Sequence, residues 1–228
     1  MTPSAAPGHF QEAVSYFRRK VPMTENEFRE LLEEDHDRAF MVSGLNQLSV
    51  VESFMDALDG AISQGSTLEE FKAATIEMAD RAWGAAAGTR LELIFRTNVQ
   101  TAYSRGRYEQ ATEPEVLEAR PFWKFLAIDD APVLCPLCEE CMNTLLPADS
   151  PWWLEHYPPL HHRCRCRVQT LTEGQGEGKV TAKPSDVKAR GSFGQTPDAE
   201  LGDAPDLTSM DPGLRTAFLR NEKRQRPR

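Results

Sequence analysis

Residues 120–172 read RPFWKFLAIDDAPVLCPLCEECMNTLLPADSPWWLEHYPPLHHRCRCRVQTLT, and this stretch decides the fold. Its first part alternates: Phe122, Lys124, Leu126 and Ile128 fall on one side, Trp123, Phe125 and Ala127 on the other. A short, aromatic run of period two is strand chemistry. CRVQTLT, from Cys166, predicts a second strand. Between the two lies every cysteine of the chain, namely Cys135, Cys138, Cys141, Cys164 and Cys166, together with His156, His161 and His162. Pairing of the strands would hold the ends of the intervening loop together and bring its thiols into one place.

Cys135 and Cys138 form a C-x-x-C knuckle, and HHRCRC supplies His161, His162, Cys164 and Cys166. Zinc takes four nitrogen or sulfur ligands in a tetrahedron, so a pair from each half closes a site. His161 with Cys164 repeats the x-x spacing, which makes Cys135, Cys138, His161 and Cys164 the first choice. Cys166 in place of His161 or Cys164 is the nearest rival, since residues two apart in extended chain share a face. Cys141 has no matching partner. The plainer alternative is a set of buried cysteines serving as small hydrophobes. Arg163, Arg165 and Arg167 alternate with the thiols and Glu139 and Glu140 follow the knuckle, a composition unlike that of a core. Asp129, Asp130, Glu139, Glu155 and His156 are available as bases, but none has a spacing that compels a role. No Gly-rich phosphate loop, H-E-x-x-H or G-x-S-x-G occurs. A structural metal holding a small sheet is the expectation.

Working outward, residues 9 to about 112 read as helical. Phe10, Ala13, Val14 and Phe17 share one face. Thr24 with Glu27, Ser49 with Glu52 and Thr67 with Glu70 are capping-box pairs. Phe28, Leu31 and Leu32 form one expected buried stripe, Phe54, Leu58 and Ile62 a second, and Phe71, Ala74 and Met78 a third, with Thr75 at its edge. Gly65 is a plausible stop. TRLELIFRTNVQTAYSRGRYEQATE predicts a long helix with Leu91, Ile94, Phe95, Val99, Ala102 and Tyr103 on its apolar side. Beyond about Glu173 the chain is rich in Gly, Pro, Asp and Ser, which favours an extended or disordered tail. Its last residues suggest a short helix with a basic end: Arg215, Arg220, Lys223, Arg224, Arg226 and Arg228. The expected fold class is α+β, mainly α. A helical region spans 1–113, a small antiparallel β and zinc-knuckle module 114–174, and a flexible tail with a basic end 175–228.

The 228 residues carry a net charge of -9, so any nucleic-acid contact must be local. No apolar run approaches a membrane span. MTPSAAPGHFQEAV lacks the basic start and apolar core of a secretory signal, which predicts a reducing cytosol. There, clustered cysteines are more often metal ligands than disulfides.

LELIFRTNVQTAYSRGRYEQ, PFWKFLAIDDAPVLCPLCEECMNTLL and PWWLEHYPPLHHRCRCRVQTL, in that order, resemble the Mu F-like minor head proteins of tailed bacteriophages. Arg96-Thr97 leads into a helix with Ala102 and Arg107. Aromatic residues precede an Asp and then C-x-x-C. Pro158-Pro159-Leu160-His161 before Cys164-Arg165-Cys166 is the most specific part. AFMVSG and ISQGSTLEEF upstream are also similar, so the resemblance covers about 25 to 175. It implies Cys135, Cys138, His161, Cys164 and Cys166 as characteristic positions. His162 stands where many relatives have proline, and Cys141 looks like an addition. The resemblance further implies a non-enzymatic, low-copy head component that associates with the portal protein and other capsid or scaffold proteins. Its place would be the head interior or portal vertex of the virion, and the host cytoplasm during assembly. Some relatives carry fused toxin or enzyme domains. This chain ends soon after the module, so none is expected here.

Two other readings stand beside this one. A treble-clef nuclease would use His161 and His162 on a second metal, but no histidine follows His162. A DNA-contacting adaptor packaged in the head would use the basic C-terminus and the arginines around Cys164 and Cys166.

Overall fold

A computed structural model describes residues 10–128, 135–191, 193–194, 196, 207–208 and 210–225. They form two compact units. One takes the residues up to Val99 together with those from 207 onward; the other runs from Gln100 to 196.

The first unit begins with α1 (Gln11–Arg18), β1 (Val21–Pro22), α2 (Glu25–Arg29), a 3-10 turn over Glu33–Arg38 and β2 (Ala39–Phe40). β1 and β2 pair in parallel, Val21 with Ala39 and Pro22 with Phe40. Then come α3 (Leu48–Gln64), α4 (Leu68–Trp83) and the long α5 (Ala87–Thr112), whose first half belongs here. The core is apolar and aromatic. Phe54 is fully buried and tilts against Phe71 at 6.4 Å and Trp83 at 5.7 Å between ring centroids. Both Thr24 and Thr67 make the expected capping boxes with Glu27 and Glu70, each satisfying two free amides of a first turn. Gly65 ends α3 at φ 75°, where its amide bonds to the Ala61 carbonyl.

Three expectations shift here. Ser49 does not cap α3. The helix starts at Leu48, so Ser49 lies inside the first turn and accepts a bond from the Gln47 amide instead. Leu32 is 55% exposed, because α2 ends at Arg29 and the following 3-10 turn breaks the 3.6 period that placed it beside Leu31. On α4 the buried residues are Phe71, Thr75 and Ala79; Ala74 is exposed and Met78 half-buried. Thr75 satisfies its hydroxyl on the Phe71 carbonyl at 2.7 Å, which lets a polar residue face the core.

Part of the stretch expected as tail carries tertiary contacts. α10 (Pro212–Gln225) buries Leu214 and Ala217 with Val21, Met23, Leu31 and Ala39. Arg220 ties it down through Glu27 at 2.8 Å and the Pro22 carbonyl at 3.2 Å. Full burial of one leucine contributes about 1.5–3 kcal/mol, so two or three such positions suffice to dock a short helix. Arg226 and Arg228 lie outside the described residues.

The second unit joins the rest of α5 to α6 (Pro114–Ala119), β3 (Phe122–Leu126), α7 (Pro136–Cys141), β4 (Leu145–Pro147), α8 (Trp153–His156), β5 (Arg167–Leu171) and α9 (Glu173–Gly176). Its sheet is antiparallel in the order β4-β3-β5. The two expected strands pair from Phe122–Leu171 to Leu126–Arg167, and Lys124 faces Leu145 across the other edge. The alternation holds, with Trp123 and Phe125 buried. Trp123 meets Trp153 at 5.6 Å and Tyr157 at 5.7 Å, both edge to face, a favourable geometry for aromatic pairs. α5 belongs with this sheet beyond Gln100, further back than a boundary at 113, because Tyr108 and Ala111 pack into the same core. Residues 179–190 also run along this unit. Thr181 donates to the Leu145 carbonyl and Arg190 to that of Leu160, while Val187 and Ala189 cover the core.

Candidate metal centre

The paired strands bring the two halves of the cysteine segment together. α7 begins with Pro136 at its first position, a residue whose fixed φ suits a helix start. Cys135 precedes it at the cap position without a side-chain cap bond, and Cys138 lies one turn on. The backbone amides of Cys138 and Leu137 lower the pKa of the Cys135 thiol. In the second half the chain turns between His161 and Cys164, with the Cys164 amide donating to the His161 carbonyl at 3.1 Å. Arg163 holds the left-handed φ of 62° this turn requires. Each half is therefore a tight turn with a donor at either end.

Cys138 is the meeting point. Its sulfur lies 3.1 Å from His161 Nε2 and 3.9 Å from the Cys164 sulfur. Cys135, Cys138 and His161 hold their donor atoms within 4.8 Å of one another, and so do Cys138, Cys164 and Cys166. All five residues singled out in the sequence are thus gathered. Tetrahedral zinc with bonds of about 2.3 Å to sulfur sets sulfurs about 3.8 Å apart, so the Cys138–Cys164 distance suits such an ion. His161 directs Nδ1 to the His162 carbonyl at 2.6 Å. That bond leaves Nε2 as the ligand nitrogen, the outer-shell arrangement usual for metal-bound histidine.

The electrostatics of the cluster fit the same chemistry. Hydrogen bonds from Cys138 and Cys166, with help from His161, hold the Cys164 thiol far below its ordinary range despite burial. Cys138 is pushed up by its bonds to Cys164 and Cys166 and by burial. Its bond to Cys138 pulls the Cys166 thiol down, but Cys164 and burial outweigh this and raise it. Burial raises the Cys135 thiol too, but its two amides and His161 bring it below its usual value. His161 is pushed up to about 9, chiefly by the Cys164 sulfur. The Cys164 sulfur is the thiol most favoured to ionise, and it lies beside the His161 ring. A divalent cation entering such a set would displace protons.

Three of the cluster's thiols are buried, while Cys135 and His161 are half-buried. Cys138, Cys164 and Cys166 are buried in one core with Trp123, Phe125, Trp153 and Leu160. The sequence argued against a core composition, and the alternation of chain direction resolves this. The thiols turn inward while Arg163, Arg165 and Arg167 remain exposed. Cys141 is fully buried and lies in neither donor group; burial first, then Glu140 and Cys164, push it up to about 12, so it behaves as a small hydrophobe. His162 is likewise outside both groups, and its ring meets Phe193 edge to face at 4.9 Å. Among the described residues no donor group contains both His161 and His162. His156 stacks on Trp152 at 4.2 Å and donates Nδ1–H to the Trp152 carbonyl, and Glu155 pairs with Lys188. Asp129 and Asp130 lie outside the described residues. Sequence reasoning missed two anchors on α5: Gln100 donates to the Cys166 carbonyl at 3.1 Å, and Ser104 to the Pro158 carbonyl. No local pattern announces bonds across 66 and 54 positions.

The chain thus joins helices to a small sheet whose connecting segment brings thiols and an imidazole together. Residues 52–169 match the family described as Phage Mu protein F like protein, and the chain belongs to that family. It is 32% identical over 182 residues to the "Putative capsid assembly protein F" of Escherichia phage Mu, covering 71% of this chain and 40% of that protein. It is 31% identical over 157 residues to the Mu-like prophage FluMu F protein of Haemophilus influenzae, covering 63% and 37%. The chain therefore spans about two fifths of the length of these curated relatives. No solved structure matches it.

Proposed function

We propose that this chain is a structural assembly component of a tailed-phage head, acting at the portal vertex without catalysis. The observation that carries this reading is family membership through residues 52–169, which take in α5, β3, β4, the start of β5 and both halves of the cysteine cluster. The name of the phage Mu relative, a capsid assembly protein, supports the role. The portal protein is the expected partner, followed by other capsid or scaffold proteins. Among the described residues no helix is long and apolar enough to cross a membrane.

Within this role the cysteine cluster holds one structural zinc. Cys135, Cys138, His161 and Cys164 are its ligands, supported by the two matching turns that present them, and Cys166 is the reserve thiol beside them. Native mass spectrometry of the chain co-expressed with the portal protein of the same phage genome tests both parts. The expected result is a complex of fixed stoichiometry carrying one zinc per chain. A metal-loaded chain that ignores the portal, with heads assembling normally in its absence, would overturn the assembly reading. A portal complex without zinc would overturn the metal alone.

A further inference from the structure

The five cysteines differ in how they meet solvent. Cys138, Cys141, Cys164 and Cys166 are buried, and Cys135 alone is half-buried. Oxidation of a thiol follows its exposure, so a small oxidant arriving from solvent reaches the Cys135 sulfur first. Cys135 holds the cap position of α7, and Cys138 lies in the first turn of the same helix. Their sulfurs are within 4.8 Å of one another. This C-x-x-C spacing is the one dithiol oxidoreductases use to make and break a disulfide. Cys138 is also the sulfur common to both donor groups, so a bond that captures it takes a donor from each.

We propose that Cys135 and Cys138 form a peroxide-sensitive pair, in which Cys135 is oxidised and Cys138 resolves it into a disulfide. The oxidant is a hydroperoxide. The Cys135 sulfur attacks one peroxide oxygen and the O–O bond breaks. Cys135 becomes a sulfenic acid, and the departing hydroxyl takes up the thiol proton to leave as water when the oxidant is hydrogen peroxide. The Cys138 sulfur then attacks the Cys135 sulfur. The S–O bond breaks, and the second hydroxyl leaves as water with the Cys138 proton. Each sulfur loses one electron and each peroxide oxygen gains one. Where the sulfurs start as metal-bound thiolates, the two protons come from solvent. Cys164, 3.9 Å from Cys138, is the rival partner, but it is buried and the oxidant meets Cys135 before it.

The two states hold the chain differently. A Cys135–Cys138 disulfide closes a single turn, whereas a bound ion joins Cys138 across 23 positions to His161. A crosslink restrains the unfolded chain more as its loop lengthens, so oxidation exchanges a long clasp for a short one and loosens the second unit. The pairing stands on the exposure and spacing of the thiols; loss of the ion rests in addition on the zinc reading above.

The test titrates the full-length, zinc-loaded chain with hydrogen peroxide in buffer freed of reductant. Dimedone added at short times traps sulfenic acid, the remaining thiols are alkylated, and peptide mapping by mass spectrometry locates both products. A chromogenic chelator reads released zinc. The expected result is dimedone on Cys135, then a Cys135–Cys138 disulfide that dithiothreitol reverses, with about one zinc released per disulfide. The tryptophan-detected melt of the oxidised chain falls to lower temperature. Cys141→Ala, outside both donor groups, reacts as the parent does. Dimedone first on a buried thiol, a disulfide mapped to another pair, or thiols left intact at peroxide concentrations that oxidise free cysteine completely would each overturn the pair. A chain that never holds zinc yet forms the Cys135–Cys138 disulfide overturns the metal reading and leaves the pair standing. Zinc retained after the disulfide has formed overturns the exchange alone.

Discussion

The two units bury aromatic side chains with equal thoroughness, yet they hold together differently. In the first, long helices carry enough apolar surface to close a core by themselves, and Phe54, Leu58, Phe71 and Leu91 are all nearly free of solvent. In the second, a sheet of three short strands is asked to organise a longer run of irregular chain. Small sheets seldom bury enough to offset the entropy of such loops, and on the metal reading proposed above thiols with an imidazole would supply what packing does not. The difference teaches that a cysteine cluster inside an apolar core can replace surface area that the chain does not have.

The sharpest way to break this comparison is to remove the metal chemistry. Cys138→Ser deletes the one sulfur common to both donor groups. Structural zinc contributes about 10–16 kcal/mol in small zinc-binding peptides, so the second unit should unfold while the helices of the first persist. Thermal melts followed by tryptophan fluorescence and by far-UV dichroism would separate, since Trp123, Trp152 and Trp153 all report the second unit. A single shared transition at unchanged temperature would remove the argument. Next in size are Phe125→Ala and Phe54→Ala, one per unit, each costing about 3–5 kcal/mol. Similar losses in denaturant titration would place the distinction between the units in the metal and not in packing quality. Leu214→Ala should cost about 2–5 kcal/mol and register in the first unit alone, read by hydrogen exchange of α10 and β1. Thr67→Ala removes half of one capping box and should lower the midpoint of the first unit by about 1 kcal/mol. No measurable change there would show that α4 is held by packing only.

Much of this arrangement is legible in the residues. Trp123 and Phe125 announce β3 by alternation, Thr24 and Thr67 announce two helix starts, and the C-x-x-C knuckle with HHRCRC announces two halves whose thiols lie together, though spacing alone does not separate Cys166 from Cys141. β4 is not legible, because three residues ending in proline carry too little pattern to be told from a loop. The inner face of α4 is misread by one step, since a threonine bonded to its own helix passes for an edge residue in the sequence. The packing of α10 is hidden for another reason. Its hydrophobic partners lie almost 200 residues earlier, as the 193-residue separation of Glu27 and Arg220 shows, and no local window sees across that distance.

That last feature bears on the order in which the protein takes shape on the ribosome. Domains tend to fold as they emerge, N-terminal portions first. Here a segment made after the second unit supplies a wall of the unit made before it, with Leu214 and Ala217 against Val21 and Met23. The cysteine-bearing unit is contiguous in sequence and can finish while the earlier helices still wait for their final partner. Synthesis and completion would run in opposite orders, and the helical unit would become whole only when translation has delivered α10.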